Sequence, residues 1–329
     1  MSLTSFLAIK DVREKFSQEF PKPKFTLKKD ILVSPMTKHF GLVGTAFDYL
    51  IRFYIKRINP KALSSPWVAE LVIDKVSDDK FLLGKTKTII SEAKDAYSRY
   101  LKSGKMNNAV IISAILLSQL DIIFRCGIFD KNLGKADEED IRDLRNLISI
   151  VDPETFKAKR LCILNPVFGN ASGLVGGADA DLVIDKCLID IKTTKKMELD
   201  RNHFNQIIGY YVLSRIGSIT GAPAGHEIDT IGIYYSRYGE LHTIPVKNLI
   251  DENRLLSFLK WFVMRASDQH YLTIVRWYIC LFKKSSPNES FIEWFEKRTA
   301  EKPKLRILYK WYKKRSLEEQ NILLQYSKG

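Results

Sequence analysis

The chain has 329 residues, 45% hydrophobic and 27% charged, values that supply a sizeable core and exclude wholesale disorder. Lys and Arg number 52 against 38 Asp and Glu, a formal charge of +14, which points to a polyanionic partner, nucleic acid ahead of an anionic membrane surface. Four cysteines, Cys126, Cys162, Cys187 and Cys280, lie far apart without a CxxC pair, so reduced thiols are expected rather than a structural zinc site.

Residues 1–40 are basic and carry Pro21, Pro23 and Pro35, which reads as a short helix followed by an extended arm. No basic stretch leads into an apolar run at the start, so no secretory signal is expected. Residues 44–58 place Phe47, Leu50, Ile51, Tyr54 and Ile55 at helical spacing, and Pro60 and Pro66 close that helix. Helices are also expected at 87–102, 107–126 and 138–150. The second has a stripe of Ile111, Ile115, Leu116, Leu120 and Ile123. Its longest apolar stretch, 109–120, is interrupted by Ser113, Ser118 and Gln119 and is too short to span a bilayer, so the expected location is the cytoplasm, with no membrane partner. Asp121 and Arg125 sit four residues apart and read as an ion pair on the helix surface. Gly84-Lys85-Thr86 looks like the end of a phosphate-binding loop, but Asp79 stands where its first glycine would be, so ATP binding is not expected.

The pattern changes after Pro153. Residues 178–184 and 187–193 read as a β-hairpin turning at Asp185-Lys186. Residues 200–216 read as an amphipathic helix, and 228–235 with 241–246 as a second hairpin around Tyr238-Gly239. From residue 249 onward the chain is helical again. Residues 302–315 mix Lys and Arg with Leu305, Leu308, Tyr309, Trp311 and Tyr312. Either the cations bind phosphates while the rings stack on bases, or the rings pack in a core while the lysines reach solvent. His39, His203, His226, His242 and His270 are scattered without metal-ligand spacing. His203 stands one turn before Gln206, from where it could approach a phosphate, but is read first as a solvated helix face.

The first hairpin concentrates the chemistry. Counting outward from a two-residue turn pairs Ile184 with Cys187, Val183 with Leu188, Leu182 with Ile189 and Asp181 with Asp190. Lys192 lies two residues beyond Asp190 and shares its face. Two directly opposed carboxylates repel, and nothing in folding requires them; a divalent cation between them reverses the sign of the interaction. Phosphodiester cleavage needs an activated water and charge stabilisation at the phosphate. Mg²⁺ or Mn²⁺ on Asp181, Asp190 and the carbonyl of Ile191 supplies these, with Lys192 assisting. A solvated strand face with a cross-strand salt bridge would show the same residues.

The segment from Gly176 to Ile184, with Asp179-Ala180-Asp181, followed by Asp190-Ile191-Lys192, resembles the core of the PD-(D/E)xK nuclease superfamily, with Ala180 in place of the proline. Gln206-Ile207-Ile208-Gly209-Tyr210 resembles the QxxxY element of its RecB-like branch, and Gln206 and Tyr210 share a helix face. The resemblance covers about residues 175–246. It implies an α/β fold with a mixed sheet flanked by helices, and Gln206 and Tyr210 beside the metal, helping to hold DNA. The first core helix of that branch often carries Gly-x-x-x-His with the histidine as ligand; Gly44-Thr45-Ala46-Phe47-Asp48 puts Asp48 at that place, with Glu92 its rival. Some relatives hold an iron–sulfur cluster, but their closely spaced C-terminal cysteines are missing here.

The expectation is therefore a Mg²⁺- or Mn²⁺-dependent nuclease acting on nucleic acid, DNA in preference to RNA. No helicase motif accompanies it, which suggests a stand-alone enzyme or one with a partner protein supplying helicase or recognition, in antiviral defence or repair. The expected regions are a helical 1–155 contributing the first core helix, a core sheet with the QxxxY helix at 156–248, and a basic helical 249–329. The rival readings are a non-catalytic nucleic-acid-binding module and a basic scaffold subunit.

Overall fold

The computed structural model describes residues 2–129, 132–285, 290–302 and 305–325. Two short helices, α1 (Leu3–Leu7) and α2 (Lys10–Glu19), precede the extended arm. The longer α3 (Phe40–Ile58) starts four residues before the expected helix and buries Val43, Ala46, Phe47, Leu50 and Ile51 along one side. After strand β1 (Leu63–Ser64) and the one-turn α4 (Val72–Lys75) comes α5 (Lys80–Ser103), seven residues longer at its start than expected. The cause is Asp79, whose carboxylate accepts from the Phe81 and Leu82 N–H groups and caps the helix earlier. Asn107 caps α6 (Asn108–Cys126) and Asp137 caps α7 (Glu138–Ser149) in the same way. By length and composition α6 could cross a membrane, which the shorter apolar run of 109–120 could not. Here 67% of its apolar window is buried inside the protein.

The chain then forms β2 (Cys162–Leu164), α8 (Asn170–Leu174), β3 (Leu182–Ile184), β4 (Cys187–Lys192), α9 (Arg201–Ile216), β5 (Thr230–Tyr235) and β6 (Glu240–Pro245). The six strands make one mixed sheet in the order β1-β2-β3-β4-β5-β6, with β1–β2 and β4–β5 parallel and the other pairs antiparallel. Helices flank it, so the architecture is α/β. The hairpin register is the one counted from the sequence: Leu182 faces Ile189, Val183 faces Leu188 and Ile184 faces Cys187. Strand β3 is shorter than expected, beginning at Leu182 rather than 178. Before it, Gly176 and Gly177 take positive φ, and only an isolated bridge joins Asp179 to Val167. Strands β1 and β2 were not anticipated; runs of two and three residues carry no readable alternation and exist because neighbours pair with them.

The hairpin turn is secured by its own aspartate. Asp185 adopts φ 52°, a left-handed conformation that aspartate tolerates. Its carboxylate accepts from the Lys159, Arg160 and Leu161 N–H groups at 3.0, 2.7 and 3.0 Å. Against the upward push of burial, these bonds hold the Asp185 carboxyl below the ordinary range. Asp185→Ala should cost about 1–2 kcal/mol in urea unfolding, with Asp185→Asn nearer the parent. An alanine variant as stable as the parent would show that the turn does not depend on these bonds.

The chain divides into two compact units, one of residues 7–172 and 178–251, the other of 1–6, 173–177 and 252–329. The larger unit holds most of the regions expected at 1–155 and 156–248 together, and the smaller one most of 249–329. Side chains from α3, α5, α6 and α7 share one core with Leu182, Ile184, Ile189, Ile191 and Tyr234 of the sheet. Within this larger unit Arg237 is fully buried and pairs with Asp143 of α7 through two bonds of 2.9 and 3.0 Å. Its carbonyl accepts from the Leu32 and Val33 N–H groups of the arm. The smaller unit contains α10 (Glu252–Ser285), α11 (Phe291–Glu301), α12 (Arg306–Lys313) and α13 (Leu317–Gln325), with Val275, Ile279, Phe282, Phe291, Phe295 and Tyr312 in its own core.

Candidate functional site

The site is assembled at the Lys192 end of β4. Residues 188, 190 and 192 point to one face of that strand, the face on which α9 packs. Asp190 is 2% exposed and sits beside Ile233 of β5. The parallel β5 neighbour fixes the height of Asp190 and Lys192, and α9 brings Gln206 and Tyr210 over them.

Four side chains form a continuous polar chain. Lys192 Nζ stands 2.7 Å from Asp190 Oδ2 and donates to Gln206 Oε1 at 3.0 Å. Gln206 Nε2 then donates to Tyr210 Oη at 3.1 Å, as the i,i+4 spacing of a helix allows. The Tyr210 ring stacks on Phe168 with centroids 5.9 Å apart. Burial, then the charges of Asp190, Asp181 and Asp179, push the Tyr210 phenol well above its ordinary range, so its proton stays on. Burial works to lower the Lys192 ammonium, but the Asp190 and Asp181 charges hold it above the usual lysine value. Lys192 and Asp190 thus form a close, buried ion pair.

Asp181 lies just past the paired part of the hairpin, where one Oδ2 accepts from the Ile191 N–H at 2.6 Å. Burial raises its carboxyl well above the carboxylate range. The Asp48 and Asp190 charges push the same way, and Lys192 and the Ile191 N–H oppose them. The structure thus brings Asp48 of α3 to the Asp181 side of the site. Burial raises the Asp48 carboxyl as well, opposed by Arg52, with Asp121 and Asp179 adding to the rise. Glu92, by contrast, is exposed on α5.

Sequence reading missed the cations of this corner. Arg52, one turn after Asp48, is buried, bonds Asp48 Oδ2 at 2.5 Å, and lies over the Tyr49 ring. An arginine four residues from an aspartate inside the run Leu50-Ile51-Arg52-Phe53 was the available signal, since an apolar helix does not bury a cation without a partner. Asp121 and Arg125 form the expected ion pair four residues apart, with Arg125 exposed, but its acid is not on the surface. Asp121 is 3% exposed and accepts from Tyr49 Oη, and Arg125 reaches on to Asp179 at 3.2 Å. His203 is half-buried 2.7 Å from Asp200, not a solvated face; burial and then the Lys192 charge lower its imidazole. A cavity of about 780 Å³ lies elsewhere, at the Cys187 end of β4 beside Ile184, His226 and Leu241.

Among the described residues, no three His, Cys, Asp or Glu side chains stand close enough to hold a metal ion together. The donor chemistry nonetheless fits a hard divalent cation. Asp48 Oδ1 is a buried oxygen without a hydrogen-bond donor, Asp190 Oδ2 is buried against the Lys192 ammonium, and the Asp48 and Asp190 charges both act on Asp181. Asp48, through the oxygen not taken by Arg52, Asp181, Asp190 and the Ile191 carbonyl are the oxygens that would hold such an ion. Comparison with known protein families, curated proteins and solved structures gave no match to this chain.

Proposed function

We propose that the chain is a Mg²⁺- or Mn²⁺-dependent nuclease with a PD-(D/E)xK core of RecB-like type, hydrolysing phosphodiester bonds in DNA by preference. The observation that carries this reading is the buried polar chain Asp190–Lys192–Gln206–Tyr210 between β4 and α9, with the carboxylates of Asp181 and Asp48 near enough for their charges to act on one another. A bound cation supplies charge stabilisation at the phosphate and acidifies water. The remaining roles belong to the chain. Lys192, kept charged by Asp190 and Asp181, is placed to hold a phosphate oxygen or orient the attacking water. Gln206 fixes Lys192 on one side and Tyr210 on the other. Tyr210 accepts from Gln206 and keeps its own proton to donate to the backbone of the substrate.

A second reading has one observation in its favour. Arg52 and Lys192 already stand against Asp48 and Asp190, as they would in a non-catalytic module that only binds nucleic acid. Incubating the purified protein with closed circular and linear DNA, with Mg²⁺, with Mn²⁺ and with chelator, separates the two. Metal-dependent cleavage supports the nuclease, and cut circles show endonuclease action; binding without cleavage under every condition supports the module.

The same assay tests the upstream acid. Asp48→Asn should lower the metal-dependent rate by about 100-fold or more, a loss of roughly 3 kcal/mol of transition-state stabilisation, whereas Glu92→Gln should stay near the parent. An inactive Glu92→Gln beside an active Asp48→Asn would place the first core helix at α5 instead of α3.

A further inference from the structure

Charge is unevenly distributed along the chain. Residues 252–329 carry 16 Lys and Arg against 8 Asp and Glu, so more than half of the cationic excess falls on under a quarter of the length. The concentration is sharpest around α12. From 305 to 316 there are five cations, Arg306, Lys310, Lys313, Lys314 and Arg315, and no acid. Arg315 is committed to Asp268 and Glu319. Arg306, Lys310 and Lys313 are exposed and follow one another at i, i+4 and i+7, which puts them on a single helix face spanning about 10 Å of axis. The opposite face, Leu308 and Tyr312, is buried in the core of the small unit.

We infer that this stripe of Arg306, Lys310 and Lys313 is a docking surface for the phosphate backbone of duplex nucleic acid. The inference rests on the reading of the chain as a nucleic-acid-acting protein. Duplex DNA carries about one charge per 1.7 Å of axis, so a 10 Å row of three cations meets several phosphates and can neutralise them without reading sequence. Two features choose this occupant. An interfacial membrane helix needs a free apolar face, and the apolar face of α12 is already covered by Phe291 and its neighbours. A single-strand platform needs free rings. Here Tyr312 is buried, Trp311 donates to Asp268 under the Arg315 guanidinium, and Tyr309 packs against Phe295. Of the two readings left open for 302–315, Tyr312 takes the core role, Tyr309 and Trp311 are half-buried and held by neighbours, and Arg306, Lys310 and Lys313, the last over the Tyr309 ring, keep exposed charges for phosphate.

The test is fluorescence anisotropy of the full chain with a short labelled duplex, in chelator to prevent cleavage, over a range of salt. Arg306→Gln/Lys310→Gln/Lys313→Gln should reduce the slope of log K against log salt by roughly 2.7, about 0.9 for each lost contact. Arg306/Lys310→Arg/Lys313→Arg, which keeps the charge, should retain the parent slope. Lys87→Gln/Lys102→Gln/Lys105→Gln removes the same charge from an exposed stretch of the other unit and should also keep it. An unchanged slope in the α12 triple variant overturns the inference, as does an equal loss in the control triple, since only net charge would then be acting. So does a parent that binds no duplex, or that binds phosphatidylserine vesicles in preference to it. Whether the chain cleaves DNA with metal is read in the separate assay above, so either claim can fail alone.

Discussion

Asp181→Asn is expected to remove metal-dependent cleavage and, without divalent metal, to make the protein more stable. The rate should fall by about 1000-fold or more, a loss of roughly 4 kcal/mol at the transition state. Folding should survive because the new amide oxygen can still accept from the Ile191 N–H. The stability gain, on the order of 1 kcal/mol, comes from no longer burying a charge and from relieving repulsion with Asp48 and Asp190. Its pH dependence has a definite sign. A carboxyl held above its ordinary value of 3.8 binds its proton more tightly in the folded protein than in the unfolded chain. Below that value the group carries no penalty, and the penalty grows as pH rises through the elevated folded value. The advantage of the variant should therefore be absent in strong acid and open progressively above about pH 4. Mg²⁺ or Mn²⁺ should raise the Tm of the parent, by mass action on the native state, and raise that of the variant much less. Parent-like activity together with a pH-independent difference in Tm would remove Asp181 from the site.

Breaking the buried Arg237–Asp143 pair is expected to be the most damaging single change outside the site. Asp143→Ala leaves a guanidinium with no counter-charge in the core and should cost about 3–5 kcal/mol, measured as a shift in the urea midpoint. The arm should loosen with it, because the Arg237 carbonyl anchors Leu32 and Val33. Limited proteolysis between Pro21 and Pro35 should speed up accordingly. Replacing both partners, Arg237→Met with Asp143→Leu, should recover much of the loss, since desolvating the two ions is itself costly. The exposed pair of Lys186 and Asp229, 4.0 Å apart, should contribute only about 0–1 kcal/mol. A cost below about 1 kcal/mol for Asp143→Ala would mean that the core adjusts around the arginine.

The comparison of these two sites shows what kind of information a sequence holds. The hairpin was legible because its pairing follows from a two-residue turn and a period of two, both local properties. Once the turn is placed at Asp185-Lys186, the facing of Val183, Leu188, Asp190 and Lys192 follows by counting, whereas Asp181, counted opposite Asp190, lies beyond the last ladder pair, Leu182 with Ile189. The Gln206–Tyr210 spacing was legible for the same reason, as one helical turn. The main helices were legible from their apolar stripes. Their starts were missed by four and seven residues at α3 and α5. At α5 the capping side chain of Asp79 set the first turn, rather than the hydrophobic pattern.

The chain's own order of residues thus determined the helices, the hairpin register, the α/β class and the polar residues offered along one strand and one helix. Only the tertiary structure decided which distant groups meet them. Arg52 and Asp121 became buried because α3 and α6 pack against each other. Arg237 found Asp143 across 94 positions of sequence. Tyr312 went into a core, with Tyr309 and Trp311 half-buried against it, because it packs with Phe291 of α11 and its neighbours. Strands β1 and β2 exist only through pairing partners far away in the chain. The physical reason is the same throughout. Periodicity and capping act over one or two turns and are written in adjacent residues, whereas burial, ion pairing and sheet extension depend on neighbours that the linear order does not name.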